Sequence, residues 1–145
     1  MESIKGLANS PRLIGLTRYR LVFDSSAWIE HFEGTKTGER VGKMLLDGEN
    51  SIITPNIVAL EVVSKLIRKG MDPKMAKAAI RSSSVQVEEK IEDYLEIGEL
   101  HASLRKKHPN ISMTDAIILF LAKKHNASVV TKDFHLKGEG AIFIG

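Results

Sequence analysis

The chain contains no cysteine, which excludes disulfides, thiolate-bound zinc, iron–sulfur clusters and cysteine nucleophiles at once. Any metal must be held by oxygen or imidazole. Long apolar runs are missing too. The longest, Ala116 to Ala122, is seven residues, against the roughly 20 that a membrane-spanning helix needs. The first residues carry Lys5, Arg12, Arg18 and Arg20, with no apolar stretch between them of signal-peptide length. This points to an intracellular, cytoplasmic protein. His31, His101, His108, His125 and His135 lack the His-x-x-x-His spacing of a zinc hydrolase, so surface positions are expected for all five. Neither a Gly-x-Ser-x-Gly elbow nor a phosphate-cradling P-loop occurs. Charge of one sign is barely in excess: 21 Lys and Arg against 18 Asp and Glu give +3. Local clusters such as Arg105-Lys106-Lys107 and Lys123-Lys124 fit either a solvated helix end or a polyanionic partner.

What remains is the composition of a folded domain. The 145 residues are 43% hydrophobic and 27% charged, enough for one sizeable core and too few for two. Short runs rich in β-branched residues predict strands at Leu21–Phe23, Ser51–Thr54, Val85–Val87, Ser128–Thr131 and Ala141–Ile144. Helices are predicted between them. The first runs from Ala27 to Glu33 and the second from Gly38 to Leu46. A largely buried third helix opens at Pro55 with Thr54 as its cap and ends at Gly70. Asp72-Pro73 begins a fourth. Glu88 to Lys107 is a long amphipathic helix whose inner face is expected to include Ile91, Leu95, Gly98 and Ala102, and Ser112 to Asn126 is strongly apolar. Strictly alternating strands and helices predict an α/β fold with a central parallel sheet of four to five strands and helices on both faces. Ligand sites in such sheets lie beyond the carboxyl ends of the strands. Residues 1–19 read as an extension before a domain spanning 20–145.

Four carboxylates fall where that architecture puts chemistry. Asp24 directly follows the first strand, where its ordinary role is helix capping. Glu61 lies inside the third helix among Ala59, Leu60, Val62 and Val63, where it would otherwise pair with Lys65 at i,i+4. Asp115 stands three residues after Ser112, the spacing of a capping box. Asp133 follows the strand that ends at Thr131 and alone reads as a turn aspartate. Separately each has a structural explanation, but none of these explanations accounts for all four meeting at one sheet edge. Two carboxylates about 5 Å apart repel by roughly 3 kcal/mol at an effective dielectric of 20, so such a cluster calls for a cation. Oxygen-only ligation favours Mg²⁺ or Mn²⁺ over Zn²⁺. Such an ion activates water and offsets charge on phosphorus, which makes phosphodiester hydrolysis the natural chemistry. Arg20, Lys65 and Lys132 are expected to flank the site.

The segments Leu21-Val22-Phe23-Asp24-Ser25-Ser26-Ala27-Trp28, Thr114-Asp115-Ala116-Ile117 and Val130-Thr131-Lys132-Asp133, with Glu61 in its helix, resemble the successive acidic motifs of PIN domains. The likeness runs from about residue 20 to the end, and the small single-domain form is similar to VapC-like toxins. The resemblance implies a three-layer α/β/α PIN-like fold and an Mg²⁺- or Mn²⁺-dependent endoribonuclease using a metal-activated water. It assigns Asp24, Glu61, Asp115 and Asp133 as metal-binding and catalytic residues, with Ser25 and Thr131 as candidate polar helpers. It also implies an RNA substrate, an antitoxin partner and a homodimer. Trp28, Ile29, Phe32, Val41, Met44 and Leu45 exceed what two short helices usually bury, so an apolar docking patch is expected there. The alternatives are a non-catalytic PIN-like scaffold that binds RNA or protein, and a phosphoacceptor receiver domain. The second expects paired acids after the first strand, where this chain has Asp24-Ser25-Ser26.

Overall fold

A computed structural model describes residues 19–133, 136 and 141–145. Along the chain run β1 (Tyr19–Phe23), α1 (Ser25–Glu33), α2 (Lys36–Leu46), β2 (Asn50–Pro55), α3 (Asn56–Arg68), α4 (Lys74–Ser83), β3 (Val85–Val87), α5 (Ile91–Arg105), α6 (Met113–Lys124), β4 (Ser128–Thr131) and β5 (Ala141–Phe143). The strands form one sheet in the order β3-β2-β1-β4-β5, and every adjacent pair is parallel. The three-layer α/β/α architecture follows, with Val22, Phe23, Val129 and Val130 buried at its centre. The chain builds outward from β1 to β3, then crosses back through α5 and α6 to place β4 on the other flank of β1. Strand order therefore reverses between β1 and β4, the position where a crevice opens at the carboxyl edge of a parallel sheet.

Local chemistry starts α1 and α6 as the sequence suggests. Asp24 caps α1 through a bond from the Ala27 amide (3.0 Å), and Ser112 and Asp115 form a reciprocal capping box on α6. Gly34, at φ +69°, closes α1 in the left-handed conformation. Thr54 does not cap α3. The strand continues through Pro55, and the Thr54 hydroxyl instead accepts the Trp28 indole N–H (3.1 Å) and donates to Ser84 Oγ (2.8 Å). A buried indole needs an acceptor, and that need outweighs a cap.

Four further expectations are corrected. The six apolar residues of α1 and α2 do not form a patch: Trp28, Ile29 and Val41 are buried, and Phe32, Met44 and Leu45 pack against the same core. The two helices cross closely at Gly38, where an added Cβ would stand 1.9 Å from the Glu30 carbonyl oxygen, and that approach buries the surface. The inner face of α5 is not Ile91, Leu95, Gly98 and Ala102, all of which are exposed. Ile97 and His101 are buried there instead, with Leu100 and Leu104 half-buried. His101 is thus a core residue, against the expectation of a surface position, and α3 hides only the stripe Val58, Val62 and Leu66 while Leu60 and Ile67 face solvent.

Candidate metal centre

Asp24 leaves the end of β1 at the reversal point and is buried with three donors around its carboxylate. Oδ1 accepts from Ser26 Oγ (2.6 Å) and from the Ala27 amide, and Oδ2 accepts from Thr131 Oγ1. Each hydroxyl is itself tethered from the segment after β4. The Lys132 amide donates to Ser26 Oγ (2.9 Å) and the Asp133 amide to Thr131 Oγ1 (2.8 Å). Two parallel relays thus join the ends of β1 and β4 through one carboxylate. Burial pushes the Asp24 carboxyl above its ordinary value; the bonds from Ser26, Thr131 and Ala27 pull the other way, and the Asp115 charge adds to the rise.

The remaining acids arrive from separate elements. Glu61 projects from α3 and accepts from Thr114 Oγ1 (3.3 Å) across the sheet edge. Asp115 sits in the first turn of α6, where its Oδ2 accepts from the Ser112 amide (3.2 Å). The carbonyl of that same Ile111–Ser112 peptide is held from α5 by His101 Nε2 (3.2 Å) and Arg105 Nε (3.1 Å). A charged donor on a peptide's carbonyl strengthens the N–H of that peptide, so α5 helps set the Asp115 carboxylate. Asp24, Ser25, Ser26, Glu61, Asn110, Ser112, Thr114, Asp115, Ile118 and Asp133 line one cleft of about 320 Å³.

Residues 21–138 match the family model of the PIN domain. The chain belongs to the PIN-domain family. Solved PIN-like structures share its fold. A toxin–antitoxin complex from Klebsiella pneumoniae is 20% identical, with 86% of this chain and 98% of that one covered and a TM-score of 0.62. VapC20 of Mycobacterium tuberculosis, a sarcin–ricin loop cleaving toxin, is 18% identical over 84% and 96% of the two chains, with a TM-score of 0.69. VapBC2 from Rickettsia felis, bound to a DNA fragment from its promoter, is 18% identical over 86% and 96%, with a TM-score of 0.63. No curated protein sequence matches the chain.

In this PIN domain the polar residues around the acids include the expected Ser25 and Thr131 and others besides. Ser25 lines the cleft, but Ser26 makes the bond to Asp24. Thr131 does bond Asp24. Asn110 and Thr114 line the cleft without having been expected there. Of the anticipated flanking cations, Arg20 bonds the His125 carbonyl (3.0 Å) at the opposite end of β1 and Lys132 pairs with Glu30 (2.8 Å), while Lys65 is exposed one turn beyond Glu61. Among the described residues no three His, Asp or Glu side chains form a ready-made metal cluster. The donor set nevertheless suits a hard divalent ion. It offers only oxygens, it concentrates negative charge in one cleft, and a carboxylate oxygen that accepts a hydrogen bond retains a further lone pair.

Proposed function

We propose that this PIN domain is an Mg²⁺- or Mn²⁺-dependent endoribonuclease, a VapC-like toxin that hydrolyses RNA phosphodiester bonds. The observation that carries the reading is the convergence of Asp24, Glu61, Asp115 and Asp133, from four separate segments, on one cleft at the carboxyl edge of the sheet. Those four residues would hold the ion and are the catalytic set. The ion supplies a water of lowered pKa and offsets charge that develops on phosphorus. Asp24 is fixed by Ser26 and Thr131, so its oxygens keep their direction without further ordering when substrate arrives. Asp115 is fixed by its own capping box. Exposed Lys65, beside Glu61, offers a charge for the RNA backbone.

The structural likeness to toxin–antitoxin complexes supports an antitoxin partner, and a homodimer is part of the same proposal. An arginine donated by such a partner would pair with several of these carboxylates at once. Action in the cytoplasm fits the absence, among the described residues, of any helix long and apolar enough to cross a membrane. The proposal is tested by RNA cleavage with and without Mg²⁺ or Mn²⁺. Wild type cleaves only with the ion, and Asp24→Asn and Asp115→Asn lower the rate by about 10²-fold or more while keeping the native circular dichroism. Wild-type rates in the folded double variant would overturn the assignment. RNA binding without cleavage under any ion would leave the scaffold reading.

A further inference from the structure

Two side chains of α5, one turn apart, converge on a single atom outside the cleft. The buried His101, through Nε2 (3.2 Å), and Arg105, through Nε (3.1 Å), both meet the carbonyl oxygen of Ile111 in the connection to α6. A carbonyl oxygen has two lone pairs, and these donors take both. Ile111 is fully buried, so its carbonyl needs partners within the protein. One would have been enough. The second donor, which carries a full charge, has a consequence on the far side of the peptide.

A trans peptide is planar, and its C=O and N–H point in opposite directions. Donors that hold the Ile111 carbonyl on the α5 side therefore aim the Ser112 N–H away from α5, at Asp115 Oδ2 (3.2 Å). The Asp115 amide in turn donates to Ser112 Oγ (3.0 Å), which closes the turn. If this peptide turned over, Asp115 would lose that donor and face a carbonyl dipole instead. Arg105 keeps its charge at every working pH, so its hold on the carbonyl polarises the N–H beyond it throughout. Neither Arg105 nor His101 lines the cleft.

We propose that Arg105, backed by His101, is a positioning residue of the metal site: by locking the Ile111–Ser112 peptide it fixes the direction in which Asp115 offers its carboxylate to a divalent ion. The inference rests on the metal-dependent reading above. Exposed Arg105 has a competing use as a contact to the RNA backbone, and the two uses alter different quantities. Arg105→Met keeps an unbranched stem and removes both donor and charge; Lys106→Met removes a neighbouring charge and leaves the carbonyl alone. In Arg105→Met the Ser112 amide nitrogen resonance should move upfield, and Mn²⁺ affinity, titrated without RNA, should fall by about tenfold. The cleavage kcat should fall by a similar factor while KM for RNA stays within about twofold. Arg105→Lys should recover part of each loss, and Lys106→Met should show none. An unmoved Ser112 resonance overturns the proposal. So does a raised KM with Mn²⁺ affinity intact, which would give Arg105 to the RNA, or a lowered Tm with Mn²⁺ affinity intact, which would make it a structural tie. A wild type that binds no Mn²⁺ defeats the metal reading and this inference together, whereas a wild type that binds it with the same affinity as Arg105→Met defeats this inference alone.

Discussion

At the scale of single residues, the notable fact is how much holds Asp24. Its two oxygens end two relays that begin at the amides of Lys132 and Asp133 and pass through the hydroxyls of Ser26 and Thr131. Groups that orient a metal-binding carboxylate typically contribute about 10–100-fold in metal affinity or activity. Ser26→Ala and Thr131→Val are therefore expected to weaken Mn²⁺ binding, read by titration calorimetry, and the cleavage rate by about that factor. Ser25→Ala, which removes no bond to Asp24, should change either by only a few-fold; a larger loss at Ser25 than at Ser26 would show that the relay is misassigned. The sequence made Asp24 and Asp115 legible because both stand at helix starts, where strand end and capping spacing fix their place. It did not separate Ser25 from Ser26, since adjacent serines after a strand look alike and only the turn decides which hydroxyl faces back. Thr114 stood in a motif without a role of its own, and Asn110 had no local signal. They meet Glu61 and the other acids only because α6 is brought across the sheet edge.

At the scale of elements, α1 and α2 show how burial becomes a pH dependence. His31 packs beside the stacked Trp28 and Phe32 rings, with their centroids 6.3 Å and 5.1 Å away, and faces Gly42 of α2. Burial holds its imidazole below the ordinary value of 6.5, and a bond with the Gly38 backbone only partly opposes this. In the unfolded chain the same group takes its proton near 6.5, so between that value and the lower folded one the unfolded state binds more protons. Stability should then fall as pH drops through that window and level off beneath it. Denaturant midpoints from about pH 7.5 to about pH 5 should show this slope in wild type and a flatter one in His31→Asn. Equal slopes would mean that the imidazole charges freely in the fold. The α5 error is of the same scale. Two stripes one half-turn apart, Ile91-Leu95 and Ile97-Leu104, both satisfy helical periodicity, and nothing local says which will meet α6.

At the scale of the whole molecule, the alternation of strands and helices made the parallel sheet legible, because βαβ units have few other ways to bury their faces. The order β3-β2-β1-β4-β5 was not legible. It depends on α5 and α6 returning the chain to the far side of β1, and that return brings the carboxylate after β4 beside the one after β1. The topology therefore gathers like charge at one edge; burial is the main cause that raises the Asp24 carboxyl, and the Asp115 charge adds a smaller part. Ionised Asp24 disfavours the metal-free fold at neutral pH; as pH falls below its raised folded value, that penalty is relieved. A divalent ion that binds only the folded cleft would relieve it without protonation. At a concentration 100 times its dissociation constant, such an ion stabilises a fold by about 2.7 kcal/mol. For a chain of this size that corresponds to a rise of roughly 5–11 °C in Tm. Thermal unfolding of chelator-treated protein at neutral pH should show this rise with Mn²⁺ or Mg²⁺. Monovalent salt at matched ionic strength should give far less, since screening acts weakly on a buried carboxylate. In Asp24→Asn or Asp115→Asn the rise should shrink or vanish. A Tm that ignores both ions in wild type, or rises equally in the variants, would place any metal elsewhere and leave the cluster as four acids with structural roles only.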